Sequence, residues 1–577
     1  MLLYQQLESR LREAVRAVVP EADPAAVQVR PCPDPRFGDY QATALMGLAR
    51  ARKVNPRQLA ADVLKGLSVA DLCEAVDVAG PGFLNFRLRP DAVARALAEA
   101  VASERPFLQQ AARPRTVIVD FSSPNVAKPM HVGHIRSTIL GDCLARVLRL
   151  LGHRVITDNH LGDWGTQFGM LLLGWKRELN RNALQADAIG EMERLYRRIS
   201  AECQTNPATL EAARQELVKL QSGDPENLAL WREMIALSRA EFDRIYARLG
   251  VRFDHTLGES FYNPQLKGLV AELVARGIAR ESDGALVVFF DDCPSLRGTP
   301  ALVQKSDGAF NYTTTDLATL AYRLDTWQPD EIIYVTDGRQ QLHFQQVFAA
   351  FRKWRPEAAT VRLAHVWFGS ILGDDGKPFK TRAGDTIKLT DLLDEAEERA
   401  LRVVAEKNPE LPPPQQREIA RVVGLGAVKY ADLLPNRQSD YVFNWDKMLS
   451  LTGNTAPYLQ YAYARIRSIF RKGQVAAAPV GPLEAGLTLS TREEVALGKH
   501  LLNFGLVLDA VADEYRPNYL CNYLYDLAGR FTQFYEACPV LRAAEPERTG
   551  RLALCEATAR VLRQGLEALG IEVLEQM

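Results

Sequence analysis

One stretch constrains this chain more than any other, a run of apolar and β-branched residues that ends in a turn and then a helix. Thr116–Phe121 (TVIVDF) reads as a buried parallel strand. Ser122–Asn125 (SSPN) breaks it as a turn, and His131-Val-Gly-His134 opens a helix that runs to about Leu151, where Gly152 stops it. A second strand pattern, Val155–Asn159, follows and completes a βαβ unit of a doubly wound sheet. The helix start carries unpaired backbone N–H groups at the positive end of the helix dipole, which favours an anion. Two imidazoles at i and i+3 there are more often structural than catalytic, so the histidines alone decide nothing.

Sheet text returns at Ala285–Phe290, Glu331–Val335 and Val361–Val366, while the residues from about Asn180 to Arg252 are helical and polar. One Rossmann-type sheet is therefore split by an insertion of more than about 100 residues, far beyond an ordinary βα connection. The spacing predicts three units: a small α+β domain over 1–110, an α/β Rossmann-type domain over 114–385 with a helical insertion at about 180–300, and an all-α domain over 386–577. A chain of 577 residues fits three or four domains at about 150 residues each. The net charge of −1 rules out a globally basic protein, so any nucleic-acid face must be a local patch. The eight cysteines have no CxxC spacing, which argues against zinc and for reduced thiols. The N-terminus lacks the apolar core of a signal peptide, and no long apolar run suggests a membrane span. No heptad or apolar seam suggests an obligate dimer, so the expectation is a cytoplasmic monomer.

The motif HVGH is similar to the HIGH pattern, with Val132 in place of Ile, of class I aminoacyl-tRNA synthetases and related nucleotidylyl transferases. Attack of a carboxylate on the α-phosphate of ATP builds charge on phosphoryl oxygens, and fixed donors at a helix end stabilise it. The flanking text narrows the match. SSPNVAKPMHVGHIRSTILGD, DNHLGDWGTQFG, FNYTTTDLATLAYR, EIIYVTDGRQQLHF, GDDGKPFKTRAGDTIKL and GNTAPYLQYAYARIRSIFRK, in that order, resemble arginyl-tRNA synthetases. RFGDYQAT and AGPGFLNFRL near the start, and the closing LGIEVLEQM, resemble the same family.

The resemblance implies that Ser123, Pro124 and Asn125 hold the amino and carboxylate end of L-arginine. His131, Gly133 and His134 face ATP, with His134 also beside the amino acid. Tyr312 and Asp316 lie four apart on one helix face and point into the same pocket, where Asp316 suits a guanidinium fork. Asp120 is a possible second acid, and Gln340 follows a strand at its carboxyl end. The second class I motif is degenerate: Lys377, Lys380 and Arg382 in GKPFKTRAG are its cations, and Lys128 is placed to supply missing charge. Tyr461 and Arg465, among the interleaved aromatic and basic residues of 458–472, and Phe83 and Asn85 near the start, are the expected tRNA contacts. ATP is expected as substrate with Mg²⁺, for which the sequence identifies no protein ligands, and the partners are tRNA(Arg), L-arginine and ATP. The family also implies that tRNA must bind before arginine is activated. A metabolite adenylyltransferase and a non-catalytic RNA-binding relative are the alternatives. The C-terminal helical text and the Tyr312/Asp316 pair argue against the first, and the intact histidines, Asn125 and Asp316 against the second.

Overall fold

The computed structural model describes residues 2–103, 107–373, 375–377, 379, 387–475 and 487–577. The helix Leu3–Val18 buries Leu3, Leu7, Leu11 and Val15 on one side, as their helical spacing predicts. It packs on the helix Pro56–Gly66, which with Ala44–Arg52 covers an antiparallel sheet of β1 (Arg30–Pro31), β2 (Tyr40–Ala42), β3 (Cys73–Ala79) and β4 (Phe83–Leu88), in the order β1-β2-β4-β3.

The central sheet is parallel throughout. It contains β5 (Thr116–Asp120) and β6 (Arg154–Asp158), and after the insertion come β7 (Ala279–Ser282), β8 (Ala285–Val288), β9 (Ala301–Gln304), β10 (Glu331–Tyr334) and β11 (Arg362–His365). Its strand order is β11-β10-β5-β6. Ala285–Phe290 does not join it. Strand β8 instead pairs antiparallel with β7 and β9 in a separate three-stranded sheet. An apolar run states that a strand is buried but not which strand it pairs with, so the sequence placed this one in the wrong sheet. The chain leaves β5 toward β6 on one side and returns as β10 on the other, so a crevice opens at the carboxyl ends of β5 and β10. Asp120, Asp158, Tyr334 and His365 are in register along that edge.

The insertion helices include Ala188–Thr205, Pro207–Gln221 and Pro225–Leu249. After the sheet, β12 (Ile371–Leu372) pairs in parallel with β13 (Tyr441–Val442), and the rest is helical to Glu547–Ala568. One stretch, Arg492–Glu514, is long and apolar enough to cross a membrane by composition, contrary to the sequence expectation. It folds as two helices, Arg492–Leu501 and Phe504–Glu514, and Leu497, Leu501, Phe504 and Leu508 are fully buried in the core. All eight cysteines are free thiols. A single core runs from Leu3 through the HVGH helix to Ile571, and a second, around Ile118, Leu317 and Ile332, fills the other face of the parallel sheet.

Candidate active site

The loop after β5 is held in an unusual backbone. Ser122, Ser123 and Ala127 have φ of 72°, 47° and 61°. Each such non-glycine residue costs on the order of 1–2 kcal/mol, because its Cβ crowds the following carbonyl. Each backbone N–H is fixed by a side chain from elsewhere: Ser122 donates to Ser137 Oγ (2.8 Å), Ser123 to Asn159 Oδ1 (3.1 Å) and Ala127 to Ser238 Oγ (3.0 Å). Between them, the Gly162 N–H donates to the Pro124 carbonyl and Val126 N–H to the Gly162 carbonyl. Gly162 has no room for a side chain, since a Cβ there would stand 2.2 Å from Asn125 Oδ1. Pro124 is buried, while Asn125 stands exposed at the crevice.

His131 caps the helix Val132–Leu150. Its Nδ1 accepts from the Gly133 N–H (3.1 Å), and His134 Nδ1 accepts from the His131 N–H (3.1 Å). A neutral ring that accepts at Nδ1 carries its proton on Nε2, so both rings keep an Nε2–H donor for a ligand. Burial pushes His134 down to about 3, with His131 beside it adding to the shift. Burial also lowers His131, followed by the charge of Lys128. Both imidazoles are therefore neutral at physiological pH. The His131 ring lies over Gly133, where a Cβ would meet it at 2.8 Å. The glycine leaves space for the histidine. Lys128 Nζ sits 5.4 Å from the centre of the Tyr196 ring of the insertion. Val132 N–H donates to the Ile387 carbonyl and Leu389 N–H to that of Met130, so the chain leaving the basic loop is stitched to the HVGH turn. Of the three basic-loop cations, Lys377 is exposed, and Lys380 and Arg382 lie outside the described residues.

A cavity of about 410 Å³ at the carboxyl ends of β5 and β10 brings together Ser123, Asn125, Tyr312, Asp316, Gln340 and Asp120. Asp316 Oδ2 is 2.5 Å from His343 Nε2, and Tyr312, 63 % exposed, meets the His343 ring edge-on at 4.7 Å. Asp120 is not free to serve as a second acid for a ligand. Its Oδ2 is 2.5 Å from buried Arg323, which also holds Asp158 at 2.8 Å, and its Oδ1 accepts from Ser123 Oγ. The second acid in the cavity is Glu259, which the sequence reading missed. It starts the helix Glu259–Ala275. Burial raises it to about 7, with Asp316 and Asp163 adding to the rise and His160 opposing it. No motif marks it; its only signal is its position at a helix start.

The helix Ala456–Gly473 sorts its aromatic and basic residues cleanly. Tyr461 and Arg465, four apart, are exposed on one face, with Arg465 over the Tyr535 ring at 5.2 Å. Tyr463 is buried and donates to Glu575, while Arg467 pairs with Glu556 and Glu575. In the N-terminal sheet Phe83 is half-buried. Asn85 is 3 % exposed and its amide oxygen accepts from Gln41, so it does not face outward as expected. Alternation puts it on the Phe83 and Arg87 face of β4, opposite core Leu84, Phe86 and Leu88, and it is covered there.

Three family models match most of the chain, one after another. "Arginyl tRNA synthetase N terminal domain" covers 5–88, "tRNA synthetases class I (R), catalytic domain" covers 96–445 and "DALR anticodon binding domain" covers 459–577. The chain is 47 % identical to the arginine–tRNA ligase of Hahella chejuensis, with 100 % of both chains covered. It is 46 % identical to that of Shigella sonnei, again with 100 % of both covered. Among solved structures, the arginyl-tRNA synthetase of Thermus thermophilus is 28 % identical with a TM-score of 0.85, covering 100 % of each chain.

Proposed function

This chain belongs to the class I arginyl-tRNA synthetases, and from that premise we infer which of its side chains carry each part of the reaction. The enzyme activates L-arginine with ATP to arginyl-AMP and diphosphate, then transfers arginine to the 3′ end of tRNA(Arg).

The observation that carries the assignment is the cavity that brings Ser123, Asn125, Tyr312, Asp316 and Glu259 together at the carboxyl ends of β5 and β10. Asp316 and Glu259 face the guanidinium. Among the described residues Asp316 is bonded at Oδ2 only, which leaves Oδ1 for a planar fork. Tyr312 covers the side chain, Gln340 closes the rim, and the loop Ser123–Asn125 holds the amino-acid end. The carboxylate attacks Pα of ATP, a new O–Pα bond forms and the Pα–O–Pβ bond breaks, with diphosphate leaving. Neutral His131 and His134 donate from Nε2 to phosphoryl oxygens as charge builds there, and Lys128 with the basic loop, Lys377 first, draws the leaving phosphates. In the second step a ribose hydroxyl of the tRNA attacks the arginyl carbonyl and AMP leaves.

Mg²⁺ arrives with the nucleotide. Among the described residues no group of three His, Cys, Asp or Glu is placed to hold a metal, so the phosphates would supply its oxygens. Tyr461 and Arg465 present a stacking and phosphate face to the anticodon arm, and Phe83 contributes on the N-terminal sheet, with Gln41 beside Asn85. The free thiols fit the cytoplasm, and the working unit is taken as a monomer.

Arginine-dependent exchange of diphosphate into ATP, run with and without bulk tRNA, tests the reading. Exchange that requires both arginine and tRNA supports it. No arginine-dependent exchange even with tRNA present rejects it.

A further inference from the structure

The helical insertion reaches the arginine loop through one phenol. Tyr246 lies near the end of the helix Pro225–Leu249 and is 4 % exposed, its ring edge-on to Phe253 at 4.9 Å. Its hydroxyl accepts from Asn159 Nδ2 (3.1 Å) and stands 2.8 Å from Ser122 Oγ. Ser122 Oγ is 2.8 Å from Thr138 Oγ1, and Thr138 Oγ1 is 2.8 Å from the carbonyl oxygen of His134. Asn159 donates to Tyr246, Thr138 has one proton for Ser122 Oγ and the His134 carbonyl, and a proton is shared between the Tyr246 and Ser122 hydroxyls. The other end of the Asn159 amide, Oδ1, accepts the Ser123 N–H.

Both left-handed serines therefore depend on Tyr246, Ser122 directly and Ser123 through Asn159. The helix that carries the phenol is itself anchored. At its C-terminal end the Leu249 carbonyl accepts from buried Lys429 Nζ, which also donates to the Gly570 carbonyl, and the Gly250 carbonyl accepts from Arg146 (2.6 Å). Burial raises the Tyr246 phenol well above its ordinary value, so it stays protonated and able to donate.

We propose that Tyr246 is a positioning residue, whose hydroxyl fixes Ser122 and Asn159 and so presets the strained Ser123–Asn125 backbone to receive arginine. This rests on Ser123–Asn125 being the arginine loop. The insertion thus sets arginine affinity from outside the pocket. The ATP subsite is expected to be spared, because the Ser122–Thr138–His134 links survive loss of the phenol oxygen.

The test is aminoacylation by the full chain with saturating tRNA. Tyr246→Phe keeps the ring and is expected to raise KM for arginine about tenfold, from one lost buried hydroxyl with two partners, and to leave KM for ATP within about twofold. Ser122→Ala removes the same contact from its other side and gives the same readout should Tyr246→Phe fail to fold. The double variant is expected to be no worse than the more impaired single variant by more than about twofold, since both act through one contact. Asn125→Ala is the control for the loop itself. If Asn125→Ala raises KM for arginine while Tyr246→Phe and Ser122→Ala do not, the positioning role is overturned and the loop stands. If none of the three moves it, the loop assignment falls. Equal rises in both KM values with a lower Tm would mark Tyr246 as merely structural and also overturn the proposal.

Discussion

Asp316 and His343 form one wall of the cavity at the carboxyl ends of β5 and β10, with Oδ2 of one 2.5 Å from Nε2 of the other. The histidine fixes the carboxylate's rotation and satisfies one oxygen, which turns the other toward the ligand. Truncating the charged partner of a buried guanidinium costs about 2–5 kcal/mol. Asp316→Asn is therefore expected to raise KM for arginine by about 100-fold or more in steady-state aminoacylation. His343→Ala loses only the orientation and is expected to cost about tenfold, with His343→Gln recovering most of it.

Glu259 gives the site a pH dependence. Its folded value, about 7, lies above the ordinary carboxylate value of 4.5, so the free protein favours the neutral acid. A guanidinium favours the carboxylate, so arginine affinity is expected to rise with pH up to about 7 and level off above it. Calorimetric titration with arginine from pH 5.5 to 8.5 measures this, and Glu259→Gln should abolish that titration. The stability effect has the opposite sign. Stability from the raised acid is present below its unfolded value and lost as pH rises through about 7, so Glu259→Gln is expected to raise Tm at pH 8 and not at pH 4.

Lys128 lies close enough to depress His131. Lys128→Ala is expected to reduce diphosphate exchange at least about tenfold while leaving KM for arginine within about twofold, as loss of a phosphate-side charge should. Equal effects on both would remove Lys128 from the ATP side. The same substitution is expected to raise the His131 pKa, readable by NMR of the ring protons.

Two glycines separate the two halves of the site. A Cβ at Gly133 would push on the His131 ring at 2.8 Å, and one at Gly162 would push on Asn125 Oδ1 at 2.2 Å. Gly133→Ala is expected to raise KM for ATP, and Gly162→Ala KM for arginine. Full kinetic curves for both variants check the crossing; the same substrate affected in both would contradict it.

Acid should destabilise the protein through its buried histidines. Burial lowers His365 and His500 to about 4 and His134 to about 3, from an ordinary 6.5. A group whose folded value is depressed contributes stability above its unfolded value and loses it as pH falls toward the folded one. Tm is therefore expected to drop between pH 6.5 and 4. His500, stacked on Tyr523 at 4.5 Å, lies outside the active site, so His500→Gln should flatten that slope without changing kcat.

The strand, the turn and the HVGH helix were legible because each depends on local pattern: an apolar run, a Ser-Pro-Asn break and a glycine stop. The same holds for the four-residue spacing that puts Tyr312 and Asp316 on one side of a helix. What failed to show were relations between distant residues. Tyr246 meets Ser122 across 124 positions, and Asp120 is claimed by Arg323 across 203. Nothing in the letters says that the carboxylate at the end of a strand already has a partner. Nor does serine, unlike glycine, advertise a left-handed backbone, which arises here only because amides and hydroxyls from other elements hold it.

The first helix has a consequence for how the chain comes off the ribosome. Leu3, Leu7 and Leu11 share one core with Phe504, Leu508 and Val511, and Tyr4 donates to Asp509, 505 positions later. At a synthesis rate of about 5–20 residues per second, the first helix waits roughly 25–100 s for its final neighbours. Its main partner, the helix Pro56–Gly66, follows within about 3–10 s, so the N-terminal unit covers most of that face early and only the edge toward Phe504 and Asp509 waits for the last helices.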